Sequence, residues 1–286
     1  MNFFVGVVEW SEEEESYFRN FWARAEHMGE ALGEMIGSAK RHGILNPIVS
    51  SVDYADFDDL PETATSDDDG DTFADDTVHS FPTEPTYRLP YGVVESFAND
   101  GYTTEDLTVG YATEIGEDED DDLIELRALV NEDDLLSIYL ELIDVLPDIS
   151  EFWIELQDDW EQTDAEEIYT NANLNTAQSI AEFINRHRTD TLLNGHVTIT
   201  TFSPTGATNL SISDHKMIEV LTYDEELAAR MGQFLEHREV HEQYELVGID
   251  HEFHHWHYRG PQSRDRQGLV ELLKQEGFEL WVPERE

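Results

Sequence analysis

The sequence predicts an α+β fold of ferredoxin-like β-α-β units, with antiparallel or mixed sheets and helices packed on one face. Three observations predict it. Short apolar runs of strand length alternate with segments whose apolar residues recur at the helical period, and three of the predicted helices carry capping or glycine signals. The last 71 residues follow the order strand, helix, strand, strand, helix, strand, which is that of a ferredoxin-like sandwich.

In chain order, Phe3 to Val8 reads as a buried strand. Ser11 followed by Glu14 forms a capping-box pattern that predicts the start of a long helix, with Phe18, Phe21, Trp22, Ala25, Met28, Leu32, Met35, Ile36 and Ala39 at helical spacing and Gly43 as its stop. Ile48 to Tyr54 is the next strand, so residues 1–55 are expected as an N-terminal β-α-β unit with a long helix. Residues 56–90 lose all periodicity and are expected as an acidic disordered or excursive segment. A calcium loop starting at Asp67 fails there, because its sixth residue is Thr72 and its twelfth Val78.

A central α+β region is expected over 91–215. It comprises strands at Ile124–Val130 and Phe152–Leu156 around a helix at Asp133–Asp144, a helix at Thr176–Arg188, and strands at His196–Phe202 and Thr208–Ile212. The C-terminal ferredoxin-like unit spans 216–286. Its first strand is Met217–Thr222, and Asp224 caps a helix carrying Leu227, Ala228, Met231, Phe234 and Leu235. Strands at Tyr244–Ile249 and Glu252–Arg259 follow, then a helix capped by Ser263 with Leu269, Val270 and Leu273 inward, Gly277 after it, and a last strand at Phe278–Val282.

Composition narrows the setting. Sixty-five Asp and Glu oppose sixteen Lys and Arg, giving a formal charge of −49, and only Lys40, Lys216 and Lys274 are lysines. Such self-repulsion destabilises a compact state in dilute buffer, whereas at about 1 M salt the Debye length is roughly 3 Å and the acidic coat serves solubility. The expected setting is the cytoplasm of an organism that keeps molar salt inside its cells. Between residues 55 and 134 stand 26 acids and two Arg, and no basic stripe of the kind a phosphate backbone needs occurs anywhere, so nucleic acid is not an expected partner. The chain has no Cys, which removes disulfides, thiolate catalysis and Cys-ligated metals. The N-terminal apolar run lacks a preceding positive charge and no stretch approaches about 18 apolar residues, so neither a leader nor a membrane span is expected.

Chemistry concentrates in one segment. Residues 251–260 hold four of the twelve His, and as a strand they place His251, Phe253, His255, His257 and Arg259 on one face. His255 and His257 then stand about 7 Å apart, able to share one metal ion, while His251 lies a further ~13 Å along. A catalytic zinc, or a similar divalent transition metal, needs three protein ligands. His251 would need a bend to join, and His196, His215 and His241 are other candidates that no local spacing selects. The same region carries a second possibility. Residues 237–266 hold four Arg and six acids, far less negative than the chain as a whole, and a helix N-terminus with Arg is a natural anion site. His255, His257, Arg259, Ser263, Arg264 and Arg266 are the anion-binding candidates. The expected function is therefore a soluble binding or interaction protein for a small anion, without a cofactor. The alternative is a metal-dependent hydrolase using the His cluster. Gly29, Gly33 and Gly37 recur every four residues on the long helix and predict close approach of another backbone, either the chain's own sheet or a second copy in a homodimer. Gly195-His196-Val197-Thr198 shows a single His-x-Thr pattern, and Asp214-His215-Lys216 is expected at a hairpin turn.

Overall fold

The computed structural model describes the chain except residues 13–14, 62, 68–69, 83–86, 88, 99–105, 118–121, 159, 161–165 and 283–286. Its elements are β1 (Asn2–Glu12), β2 (Glu15–Ala25), α1 (Met28–Arg41), β3 (Ile48–Tyr54), β4 (Ala64–Ser66), β5 (Thr72–Asp75), β6 (His79–Pro82), β7 (Val93–Ala98), β8 (Gly110–Glu117) and β9 (Asp122–Leu129). They continue with α2 (Glu132–Ile143), β10 (Glu151–Leu156), β11 (Glu167–Asn171), α3 (Ala177–Arg186), β12 (Val197–Ser203), β13 (Thr208–Ile212), β14 (Ile218–Thr222), α4 (Glu225–His237), α5 (Ile249–Glu252), β15 (Phe253–His257), α6 (Arg266–Gln275) and β16 (Glu279–Leu280). The class is mixed α+β and sheet-rich.

The first sheet runs β15-β7-β3-β1-β2-β5-β4, with β6 also paired to β2. Its neighbours are antiparallel except β3 and β7. The long helix expected from Ser11 is shorter than its pattern. Ser11 pairs with Ser16 in the β1–β2 hairpin, Glu14 lies outside the described residues, and α1 starts only at Met28, where His27 caps it by accepting from the Glu30 amide. The physical reason is that β2 is buried on both faces. Phe21, Ala23 and Ala25 turn toward α1, while Trp22 packs with Phe3 and Phe73 on the other side. Two-sided burial erases strand alternation, and the surviving spacing of Phe18, Phe21, Trp22 and Ala25 imitates a helix. The acidic stretch 56–90 contributes β4, β5 and β6, with Phe21, Trp22 and Ala23 facing Ala74, Phe73 and Thr72.

The second sheet is antiparallel, in the order β16-β11-β10-β12-β13-β14-β9-β8. Here the alternation is clear: Phe152, Ile154 and Leu156 of β10, Leu210 and Ile212 of β13, and Ile218 and Val220 of β14 all turn to one face. That face is covered by α2, α3, α4 and α6 through Tyr139, Phe183, Met231 and Leu269 among others. The β-α-β-β-α-β unit expected over 216–286 does not close on itself. β14 sits between β13 and β9, β15 crosses to the first sheet beside β7, and β16 joins β11. Residues Tyr244 to Gly248 form no strand, and Ser263 does not cap α6; Asp265 does, accepting from the Gly268 amide at 2.8 Å. Local pattern does not reveal which of two sheets a strand will join.

The sheets meet through Leu89, Val93, Leu107, Leu129, Met217, Ile249 and Phe253. Beside this apolar joint the backbones of three segments run in contact. Tyr258 N–H donates to Gly92 O at 2.8 Å, and Gly195 N–H donates to Tyr258 O at 2.9 Å. A Cβ on Gly195 would lie 1.8 Å from Gly92 O, so only glycine permits this approach. The glycine stripe of α1 faces the segment that follows β15. A Cβ at Gly29, Gly33 or Gly37 would stand 3.5 Å from His257 O, 3.7 Å from Arg259 O or 3.6 Å from Pro261 Cγ, respectively. Four helical residues advance about 6.0 Å and two extended residues about 6.6 Å, so the two repeats keep step. This contact accounts for the spacing within a single chain.

Candidate metal centre

The centre is assembled at the joint of the two sheets. The second sheet supplies the β13–β14 turn, closed by Ser213 N–H to Met217 O at 2.9 Å and Lys216 N–H to Ser213 O at 3.0 Å. Asp214 N–H donates to Thr198 Oγ1 at 2.9 Å, which fixes the turn against β12. The first sheet supplies β15. Phe253, His255 and His257 share the less exposed face of that strand, with His254 and Trp256 outward. Phe253 is buried against Met217 and Leu129, and this apolar contact holds the imidazoles of β15 toward His215.

His215, His255 and His257 offer one ligand atom each, all within 4.8 Å of one another. Their ring centroids are 4.6, 5.0 and 5.2 Å apart in the pairs His215–His255, His215–His257 and His255–His257. On every ring Nδ1 is occupied by a protein acceptor. The Nδ1 atom of His215 faces Asp214 Oδ1 at 3.0 Å, that of His255 faces Phe253 O at 3.1 Å, and that of His257 faces Gly195 O at 2.5 Å. Imidazoles that donate from Nδ1 keep Nε2 free as the ligand atom, and a carboxylate or carbonyl behind each ring is the usual support of a metal-binding histidine. Two of the Nε2 atoms, those of His215 and His255, lie 2.9 Å apart.

The charges around the rings are set by burial and by one carboxylate. Burial alone would raise Asp214, but the hydrogen bond from His215 and the positive charges near it hold the group down at about 2. His215 is itself raised: its burial is outweighed by Asp214. Burial pushes His255 down, with His215 adding to the effect, and burial pushes His257 down to about 4 despite Asp214. Both β15 imidazoles are thus neutral near pH 7, the form that ligates. Behind the turn, burial raises Glu219, and burial together with the neighbouring Glu166 raises Glu155. Asp214 is the firmly ionised carboxylate among these groups.

The structure brings together only part of the expected set. His255 and His257 meet as their spacing predicts. His251 does not lie on their strand; it sits on the helical turn α5. The third imidazole is His215, one of three candidates that spacing left open. Of the others, His241 pairs with Glu236 at 2.9 Å, and His196 stacks on Trp160 with its centroid 5.9 Å from that of His257. The anion-site candidates diverge. Arg259 donates to Ser263 O at 2.9 Å, and Ser263 Oγ donates to Thr189 O at 2.5 Å. Arg264 pairs with Asp190, while buried Arg266 donates to Gln157 O at 2.7 Å and pairs with Glu167 at 3.1 Å. Asp214, Lys216 and Gly195 were not singled out by sequence as parts of a site. The expected hairpin at Asp214-His215-Lys216 and the single His-x-Thr pattern at Gly195-His196-Val197-Thr198 are the local signals that touch them.

His255 and His257 open onto a cleft of about 980 Å³ between β15 and α1, with Glu30, Gly33, Trp160 and His196 also on its walls. Comparison of the chain with family models, with curated proteins and with solved structures gives no match. No helix among the described residues is long and apolar enough to cross a membrane.

Proposed function

We propose that this protein is a metal-dependent hydrolase of a salt-adapted cell, with His215, His255 and His257 holding one divalent transition metal. The observation that carries this reading is the convergence of the three rings, each anchored at Nδ1 and each offering one ligand atom within 4.8 Å of the other two. An all-imidazole set suits zinc and its neighbours rather than magnesium or calcium, which take oxygen ligands. Three protein ligands leave a coordination position for water or substrate, the pattern of catalytic rather than structural zinc sites. Bound there, such an ion supplies Lewis acidity and a water acidic enough to act as a nucleophile at neutral pH. Asp214 orients His215, and Phe253 O and Gly195 O orient the other two rings. The cleft beside β15 has the size of a small-molecule site.

The metal reading is preferred to the anion reading because Arg264 and Arg266 pair with Asp190 and Glu167. The acidity of the chain supports salt adaptation.

The test uses untagged protein in molar KCl. Metal content after purification and titration with Zn²⁺ should give about one equivalent, and His215→Ala, His255→Ala and His257→Ala should each abolish tight binding. Hydrolysis of an activated ester should require the metal and stop with a chelator. Wild-type protein that takes up no metal, or a His215→Ala variant that binds as well as wild type, would remove this function.

A further inference from the structure

We infer that Lys216 is the positioning residue that sets His215 against His257, a role that rests on the metal reading above. The two imidazoles come from different sheets, and the segment 194–197 at the start of β12 is the hub between them. Gly195 O receives the Nδ1 proton of His257, and Gly195 N–H donates to Tyr258 O. On the other side Lys216 Nζ donates to Asn194 O at 2.7 Å and to Val197 O at 3.2 Å, bracketing Gly195. One amino group thereby ties the turn that carries His215 to the backbone that orients His257.

Two further observations mark this lysine as chosen for its side chain. It is one of three lysines in the chain, and it is only 1% exposed. A buried amino group is costly unless it is hydrogen-bonded. Its backbone is also left-handed, with φ of 63°, at the turn position where glycine or asparagine is the comfortable choice. A residue serving the turn alone would be Gly. Lysine at this position bears both costs, and the carbonyls of Asn194 and Val197, which flank Gly195 and His196, are what its Nζ reaches.

The experiment measures Co²⁺ affinity and the visible spectrum of the Co²⁺ form for wild type, Lys216→Gly and Lys216→Met, in molar KCl. Glycine relieves the turn and methionine fills the buried channel without charge, so a purely structural role predicts near-normal binding from at least one of them. Positioning predicts affinity lowered about 10–100-fold in both, the range for residues that support ligands, with an altered cobalt spectrum. Ile180→Ala, a cavity variant on the far face of the second sheet, lowers stability without moving metal affinity and serves as control. Should a Lys216 variant fail to fold, hydrogen exchange in wild type decides. Co²⁺ should add protection at 194–197 and 213–217 together, and protection confined to β15 overturns the inference. If wild type binds and both variants bind equally well, positioning is wrong and the metal reading stands. If wild type binds no Co²⁺, both fall.

Discussion

The Nε2 atoms of His215 and His255 lie 2.9 Å apart, a separation that requires a proton between them. His255 already donates from Nδ1 to Phe253 O, so its Nε2 is the acceptor in the neutral ring. With His255 neutral the donor is His215, whose Nδ1 is held by Asp214, an arrangement that calls for protons on both of its nitrogens. The raised affinity of His215 for its proton agrees with this assignment. A metal ion at the proposed centre would take the place of that proton.

The pH dependence of metal binding follows. His255 and His257 have lowered pKa values and are neutral around pH 7, so only His215 must lose a proton there. Because the His215 value is raised above the ordinary 6.5, affinity weakens as pH falls through and below that raised value. Near neutrality the rings should release about one proton per ion, from His215, and further ring protons only as pH falls into the range where the lowered His255 and then, at about 4, His257 titrate. Calorimetry of Zn²⁺ binding in buffers of different ionisation enthalpy counts these protons. A water on the ion that ionises near pH 7 would add up to one more, so release clearly above two at pH 7 would show that the β15 rings are charged and the proton assignment wrong.

Asp67 gives a stability test remote from the site. It accepts from Arg41 at 2.8 Å, His42 at 2.9 Å and Thr72 at 2.8 Å, tying the β4–β5 turn to the end of α1. Burial would raise its pKa, but the donor groups of Ser38, Arg41, Thr72 and His42 around it depress the group far below the usual carboxylate value. A depressed carboxylate stabilises the fold above its unfolded pKa of about 3.9, and that contribution is lost as pH falls toward the folded value. Asp67→Asn should cost about 1–2 kcal/mol at pH 7, allowing for solvent screening, and progressively less below pH 4. Urea unfolding at pH 7 and pH 3 measures the difference. A gap that stays constant between the two would place the effect elsewhere than in the charge.

Salt dependence follows from the net charge of −49. Unfolding midpoints should climb steeply from low salt to molar KCl as repulsion is screened. A midpoint flat across that range, followed by circular dichroism, would detach the composition from salt adaptation.

What was legible in the sequence depended on how many faces an element buries. β10, β13 and β14 each cover a single helix layer, so Phe152, Ile154 and Leu156 alternate with outward residues and their strands stand out from pattern alone. β2 is covered on both sides and reads as helix. The candidate site divides in the same way. His255 and His257 share a strand face, so spacing two residues apart reveals them. His215 lies 40 residues earlier, on another sheet, and nothing local records that Phe253 and Met217 will bring the two segments together.

The glycines separate close packing that tolerates a methyl group from close packing that does not. A Cβ on Gly33 would meet Arg259 O at 3.7 Å, an ordinary contact, in a helix interior where glycine is the weaker former. Gly33→Ala should therefore stabilise the protein by about 0.5–1 kcal/mol and leave metal binding unchanged. Gly195 is the opposite case. Its Cβ would fall 1.8 Å from Gly92 O and 3.1 Å from Tyr258 N, both backbone atoms that no rotamer change can move aside. The chain must part at this junction to admit a methyl, at about 3 kcal/mol or more, the upper range for overpacking. Parting it also moves Gly195 O away from His257 Nδ1, so Gly195→Ala should weaken Zn²⁺ binding beyond what its loss of stability explains. Paired unfolding and Zn²⁺ titrations of the two variants provide the comparison. Equal stability of Gly195→Ala and wild type would mean that the three backbones do not meet as described. A destabilised Gly195→Ala with wild-type Zn²⁺ affinity would mean that His257 does not depend on this carbonyl for its orientation.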